Sequence, residues 1–419
     1  MRLAHGGFHL TYCTNIHPAE DWRSTFANLA DYCVPLKARL SPQAPFGIGL
    51  RLSNRAAVEL LEGERLRRFR DWLDEQGLYV FTLNGFPYGA FHHTSVKDRV
   101  YAPDWQADAR VDYTDRLARI LAALLPEGMD GGISTLPLTY QAWLQADAQR
   151  ADAACRRSAL NLAETAARLA RIRSERGTCL HLDLEPEPDC LLEDSAQVIR
   201  FYNDWLLPVG GAWLAERLGC APQAAERVLR EHVRVCVDTC HFAVVHEPPE
   251  QALARLAAEG IGIGKVQLSA ALKVALPAQD GPRRAVARRL QAFADSTYLH
   301  QVVARCPDGS LRRYADLDAA LPELPADGST EWRIHFHVPV FMDGFDGLGS
   351  TQAELAQALR YLHAHPVCAH LEIETYTWSV LPEAARTGLL DSIEREYGWV
   401  TGRLDALAAP AQRRAAGGH

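Results

Sequence analysis

Hydrophobic and polar residues alternate most cleanly from Val233 to Asp238. There Val233, Val235 and Val237 interleave with Arg234, Cys236 and Asp238. A period of two predicts a strand with the two sets on opposite faces. The valine face demands an apolar cover such as a layer of helices. The other face ends in a carboxylate, with His241 three residues further on. Comparable runs recur along the chain. Gly6 to Cys13, Phe46 to Leu52, Leu78 to Asn84, Gly131 to Leu136, Thr178 to Glu185, Ile263 to Leu268 and Ala369 to Glu374 all read as strands. Between them apolar residues fall at helical spacing. Trp22, Phe26, Leu29 and Cys33 predict a helix over Asp21 to Leu40, and Ser53 or Asn54 would cap a helix running through Trp72. Further helices are expected over Asp112 to Leu125, Gln149 to Arg176, Asp194 to Leu218 and Pro249 to Glu259. Strands alternating with helices imply parallel strands joined by helical crossovers. Eight such units predict an α/β chain closed into a (β/α)8 TIM barrel.

One region breaks the alternation. Residues 271–332 hold a helix-like run from Pro282 to Ala294, then two strand-like runs, Tyr298 to Val303 and Leu311 to Tyr314. Cys306-Pro307-Asp308-Gly309 between them predicts a hairpin turn, since Pro fixes φ and Gly accepts a positive one. Trp332 to Val340 is a ninth strand candidate, one more than a barrel holds. The expected layout is one barrel domain over residues 1–400, with 271–332 inserted after strand seven, and a C-terminal tail over 401–419. An insertion there emerges at the C-terminal rim, where it would form a lid.

Composition narrows the classes. The chain has 419 residues, 48% hydrophobic and 23% charged, which is ample for a large core. A net charge of -8 speaks against nucleic acid as a partner, because that requires a basic footprint. The ten cysteines form no paired CxxC knuckles and read as reduced thiols. The first residues carry no apolar signal core, and no run is long enough to span a bilayer. The expectation is a cytoplasmic protein without membrane insertion.

Parity also sorts the candidate chemistry. In Cys179 to Glu185 the leucines share one face, while Cys179, His181, Asp183 and Glu185 share the other. His370, Glu372 and Glu374 stand together against Leu371 and Ile373, and Lys265 stands with Gln267. In a barrel the polar face is the interior. Arg234 and Lys265 would neutralise Asp183 and Glu372 lower down. That leaves Glu185, Asp238, Gln267 and Glu374 at strand ends on the rim, where barrel enzymes carry their chemistry. Converging carboxylates repel unless a cation sits among them. An oxygen set suits Mg²⁺ or Mn²⁺, and added imidazole shifts the preference toward Mn²⁺, Co²⁺ or Zn²⁺.

Glu on strand five, Asp-x-x-His on strand six, His or Gln on strand seven and Glu on strand eight resemble the xylose isomerase-like TIM barrels. That family includes sugar isomerases, ketose 3-epimerases and inosose dehydratases. Within it, Leu10 to His17, His335 to Pro339 and Leu371 to Trp378 look like the metabolite traffic (EboE) branch. The resemblance implies metal ligands at Glu185, Asp238, Gln267 and Glu374, with His241 on the substrate or beside the metal. Gln267 departs from the His of ketose epimerases and agrees with the dehydratase-like members. His337 stands as an alternative imidazole.

The expected function is metal-dependent isomerisation or epimerisation of a small polyol, sugar or cyclitol, with Glu185 and Glu374 as the acid-base pair. Substrate contacts are expected from His241, His337, Glu187, Tyr12 and Trp378, the aromatic residues forming an apolar wall with Phe86 and Tyr88. The blander alternatives are a helix cap for His241, a core amide for Gln267 and a hydrogen-bonded core pair for His335 and His337. Other functional readings are a dehydratase-like lyase, a barrel that only binds a metabolite, and an endonuclease IV-like enzyme. The last would need more ligand histidines and a basic face.

Overall fold

The computed structural model describes residues 1–89, 97–294, 298–376 and 388–409. Eight parallel strands form the main sheet: β1 (His9–Tyr12), β2 (Phe46–Arg51), β3 (Leu78–Asn84), β4 (Gly131–Thr135), β5 (Leu180–Leu184), β6 (Val233–Asp238), β7 (Ile263–Leu268) and β14 (His370–Ile373). Their order, β1-β14-β7-β6-β5-β4-β3-β2, is that of a (β/α)8 barrel. The ring closes between β1 and β2 through a single parallel bridge, Cys13 to Gly49. A side chain completes this seam. The Thr11 hydroxyl donates to the Gly47 carbonyl (2.9 Å) and accepts from the Gly49 amide (2.7 Å).

The inward and outward sets follow the sequence alternation. Leu180, Leu182 and Leu184 on β5 and Val233, Val235 and Val237 on β6 join the apolar core under the helices. Charged side chains crowd the interior, and glycines make room for them. A Cβ on Gly264 would lie 1.8 Å from Asp183 Oδ1, and one on Gly49 would lie 1.9 Å from Glu372 Oε1.

Several helices depart from expectation at proline or glycine. The run from Asp21 to Leu40 is helical throughout but widens to a π turn over Leu29–Cys33, just before Pro35. Proline has no amide hydrogen and crowds the carbonyl four residues back, so the wider turn accommodates it. The same happens over Tyr202–Gly210, which contains Pro208. The helix expected to reach Trp72 breaks into Asn54–Leu61 and Arg65–Gln76, with Gly63 at φ +57° between them. The last helix, Leu389–Ala408, continues into the tail expected from residue 401.

The ninth strand candidate lies outside the barrel. It is β11 (Glu331–Val338), in a second, antiparallel sheet with β8 (Ala270–Ala275), β9 (Val302–Arg305), β10 (Leu311–Tyr314), β12 (Gly344–Phe345) and β13 (Leu348–Ser350). The sheet therefore runs past Trp332, to Ser350. It has its own apolar core, including Leu272, Leu290, Trp332, Ile334 and Phe336. The Pro307-Asp308-Gly309 turn joins β9 to β10, with Gly309 at φ +83°. Only Ser269 separates β7 from β8. The points of departure and return touch: the Ala271 amide donates to Thr351 Oγ1 (2.8 Å), and the Thr351 amide donates to the Ala271 carbonyl (3.0 Å).

None of the ten cysteines is in a disulfide. Among the described residues no helix is long and apolar enough to cross a membrane.

Buried Glu396 joins the return from β11 to the last helix. Its Oε1 accepts from Thr375 Oγ1 (2.7 Å) and from the Val340 amide (3.1 Å). Burial pushes its carboxyl up to about 7 from the ordinary 4.5. A carboxyl raised in this way supports the folded state fully below its unfolded pKa, and that support is lost as pH rises through the folded value. Glu396→Gln keeps the acceptor oxygen and removes the titration. Relative to this variant, the unmodified chain should lose on the order of 3 kcal/mol between pH ~4.5 and ~8. Denaturant unfolding at both pH values measures this, and an equal difference at both would contradict it.

Candidate active site at the barrel mouth

Three strands bring carboxylates to the C-terminal rim. Asp238 ends β6, and Glu185 and Glu374 directly follow β5 and β14. One oxygen from each lies within 4.8 Å of the others, and all three residues are buried. Backbone bonds fix the flanking positions: the Glu185 amide donates to the Thr135 carbonyl (2.9 Å), and the Glu374 amide to the Leu268 carbonyl (3.1 Å). Asp238 also caps the short helix Thr239–Val244. Its Oδ1 accepts from the amides of Cys240 (2.7 Å) and His241 (3.1 Å) and from Ser269 Oγ (2.6 Å). Glu374 Oε1 accepts from Asn15 Nδ2 (2.6 Å) and Asn84 Nδ2 (3.2 Å).

The other oxygens are less well served. Glu185 Oε2 and Asp238 Oδ2 are buried with no hydrogen-bond partner among the described residues. Burial, then the Asp238 charge, pushes Glu185 well above the usual carboxylate range. Burial, then Glu185 and Asp238, does the same to Glu374. For Asp238 burial pulls upward, but the facing His241 and His337 rings and the Ser269 hydroxyl outweigh it and hold the group low. Orphaned buried oxygens in this number fit a divalent cation.

Gln267 stands on the same interior face, level with Asp238 on β6 and Glu372 on β14. Its Oε1 accepts a weak bond from Cys236 Sγ (3.5 Å), and its Nε2 has no partner among the described residues. A half-turn of the amide would exchange the two atoms. Below it Lys265 Nζ meets Glu372 Oε2 at 2.6 Å with both side chains fully buried, as parity predicts. The other expected pair does not form. Arg234 reaches Asp130 (3.0 Å), and Asp183 takes His181 Nδ1 at 2.6 Å instead. Arg234 is at the strand's N-terminal end, where its long side chain reaches the partly exposed Asp130 and keeps its charge near water.

A histidine group faces the carboxylates from above. His241 comes from the helix after β6, and His335 and His337 come from β11. His241 Nδ1 lies 3.0 Å from the Pro186 carbonyl, and its Nε2 lies 3.1 Å from His335 Nε2. His335 Nδ1 meets Gln301 Oε1 at 2.7 Å, and His337 Nδ1 meets the Glu374 carbonyl at 2.9 Å. Glu187 is not a solvated loop residue. It is buried, accepts from the Tyr101 hydroxyl (2.8 Å) and is pushed up to about 8 by burial.

A small cavity of about 70 Å³ opens between these groups. Glu185, Glu187, His241, His335, His337 and Glu374 line it, together with Phe86 and Tyr376. Tyr12 is not there. It shares the outward face of β1 with Leu10, and its hydroxyl bonds His17 Nε2 (2.9 Å) and Cys33 Sγ (3.3 Å) in the helical layer. Tyr88 packs on Tyr113 away from the cavity. Trp378 lies outside the described residues. Sequence reasoning missed Asn15, Asn84 and Tyr101. Asn84 ends β3 as Asp238 ends β6, so parity alone could have found it. No local signal marks Tyr101, which enters from the short 3₁₀ helix Lys97–Tyr101.

No family profile matches the chain. No curated protein matches it either. Solved structures do. The chain is similar to a D-tagatose 3-epimerase-like protein at 11% identity, over 96% of this chain and 98% of that one, with a TM-score of 0.49. It is similar to a xylose isomerase-like TIM barrel protein from Mycobacterium smegmatis, solved with magnesium, at 11% identity over 97% and 100% of the two chains, TM-score 0.49. An IOLI protein with a zinc atom is similar at 12% identity over 96% and 100%, TM-score 0.44. The barrel assignment rests on the strand order above.

The Lys265–Glu372 pair is the floor of the site. Lys265→Met would strand a buried carboxylate, and breaking such a pair costs roughly 3–5 kcal/mol. Replacing both, with Lys265→Met and Glu372→Leu, should recover most of the loss in urea unfolding. A double variant as unstable as the single one would show that the pair is not what matters.

Proposed function

We propose that the chain is a divalent-metal-dependent enzyme that moves a proton on a small polyol, sugar or cyclitol, in the manner of a sugar isomerase or epimerase. The observation that carries this is the trio Glu185, Asp238 and Glu374, buried within 4.8 Å of one another, with Glu185 and Glu374 lining a small cavity. In this reading Glu185, Asp238, Gln267 and Glu374 hold the ion. Gln267 is a neutral fourth ligand that keeps the site from excess negative charge. Mn²⁺, Mg²⁺, Co²⁺ and Zn²⁺ are the candidate cofactors. The ion would polarise a substrate carbonyl and its neighbouring hydroxyl, acidifying the C–H between them.

The chain's own residues do the rest. Glu185 takes the proton from one face of that carbon, and Glu374 returns one from the other. Both carboxyls line the cavity, at the ends of two different strands. Asn15 and Asn84 orient Glu374 through its Oε1. His241, His337 and Glu187 face the substrate from the cavity wall. The second sheet roofs the cavity, with Tyr298 and Leu299 on its lining, and serves as the lid. The resemblance of Leu10 to His17, His335 to Pro339 and Leu371 to Trp378 to the metabolite traffic (EboE) branch agrees with a small-metabolite ligand. A dehydratase-like lyase is the second reading. Gln267 favours it, because the amide occupies the strand-seven position of the dehydratase-like members.

Chelation tests the metal. EDTA should lower the melting temperature, and Mn²⁺ or Mg²⁺ should restore it. Gln267→Ala should weaken metal affinity by about tenfold or more. An unchanged melt, with no metal by elemental analysis, would sink the metal reading.

Isotope exchange tests the chemistry. In D₂O with Mn²⁺, a panel of sugars and cyclitols should yield one that gains deuterium at carbon. Glu185→Gln and Glu374→Gln should each slow that exchange by roughly 10²-fold or more. A metal-loaded protein that exchanges none of them would leave a binding role in place of catalysis.

A further inference from the structure

The three imidazoles over the cavity have a hydrogen-bonding pattern that the proposed function does not use. His241 Nδ1 faces the Pro186 carbonyl, and His337 Nδ1 faces the Glu374 carbonyl. A carbonyl only accepts, so both Nδ1 atoms carry hydrogen. His335 Nδ1 faces Gln301 Oε1. That amide's orientation is fixed from its other end, where Gln301 Nε2 donates to the Pro188 carbonyl (3.3 Å) and to the Tyr101 hydroxyl (3.1 Å). His335 Nδ1 therefore donates as well. A neutral imidazole holds one such hydrogen, so all three Nε2 atoms present lone pairs.

Those lone pairs point at one another. His335 Nε2 lies 3.1 Å from His241 Nε2 and 3.3 Å from His337 Nε2. Acceptor against acceptor at hydrogen-bond distance is repulsive without a positive centre between them. The spacing suits a metal. Two nitrogens each about 2.05 Å from a tetrahedral ion stand roughly 3.3 Å apart. Asp238 Oδ2 lies 3.9 Å from His241 Nε2 and 4.0 Å from His337 Nε2, buried and without a partner among the described residues.

We propose that His241, His335 and His337 form a second, nitrogen-rich cation site through their Nε2 atoms, distinct from the carboxylate set, for a borderline divalent ion such as Zn²⁺ or Co²⁺. Three imidazoles with a fourth position toward the cavity make an open tetrahedral site of the kind that binds water or substrate. Asp238 stands between the two sets and is the natural bridge. The contacts of His241 and His337 with substrate then run through the ion. This site needs neither Glu185 nor Glu374, so it stands apart from the proton-transfer reading.

The test uses the full chain stripped with chelator and reloaded with Co²⁺ or Zn²⁺. Co²⁺ should give the intense visible absorption of tetrahedral nitrogen coordination. Zinc-edge X-ray absorption of the unmodified protein should show the multiple scattering of imidazole ligands, a measurement that needs no variant. His335→Ala should weaken this binding by at least about tenfold and abolish the visible bands. The double variant Glu185→Gln, Glu374→Gln should keep them. Retention of the bands in that variant, together with absent deuterium exchange in the unmodified protein, would leave this site standing while the enzymatic reading falls. Oxygen-only scattering from the zinc-loaded chain, or a cobalt spectrum unchanged by His335→Ala, would overturn the proposal.

Discussion

Anionic carboxylates do not gather in a water-poor space unless positive charge or hydrogen bonds answer them. That constraint organises the barrel interior from floor to mouth. At the floor Lys265 answers Glu372, and His181 answers Asp183. At the mouth Asp238 is answered through Oδ1 by two backbone amides and a serine, and Glu374 by two asparagines. One oxygen each of Glu185 and Asp238 at the mouth, and of Asp183 and Glu372 at the floor, has no hydrogen-bond partner among the described residues. A buried unmet acceptor costs free energy. Even the glycines follow from this. Gly49 and Gly264 are bare because carboxylates occupy the volume their side chains would take.

The roof answers the same constraint from the other side. β11 carries His335 and His337 on one face, and the barrel supplies His241 to meet them. Neither sheet owns the histidine group alone. The barrel brings carboxylates and the second sheet brings imidazoles, and Asp238 faces both.

Much of this was legible in the chain, for a definite reason. Alternation with period two reports which face a residue takes, so the inward placement of Glu185, Asp238, Gln267, Lys265, Glu372 and Glu374 follows from their valine and leucine neighbours. It does not report partners across long sequence separations. Arg234 therefore went to Asp130 rather than Asp183, and Asn15 became a partner of Glu374 without any local sign. Tyr12 shows the opposite failure. Its outward parity with Leu10 was available, but an aromatic residue near a rim suggested a substrate wall. The ninth strand was visible as a strand. Its place in a separate sheet depended on pairing with β8 and β9, which periodicity cannot encode.

Where the chain leaves the barrel and where it returns, Ala271 and Thr351 are hydrogen-bonded to each other. For the barrel, everything between them has almost no span and behaves like the shortest possible loop after strand seven. The entropy of closing that loop is met by the inserted sheet's own core rather than by the barrel. Architecture above the rim can then grow, shrink or be exchanged as a module without altering the register of a single barrel strand. The rim carboxylates thus sit on the ring, while two of the three imidazoles, His335 and His337, sit on the inserted sheet.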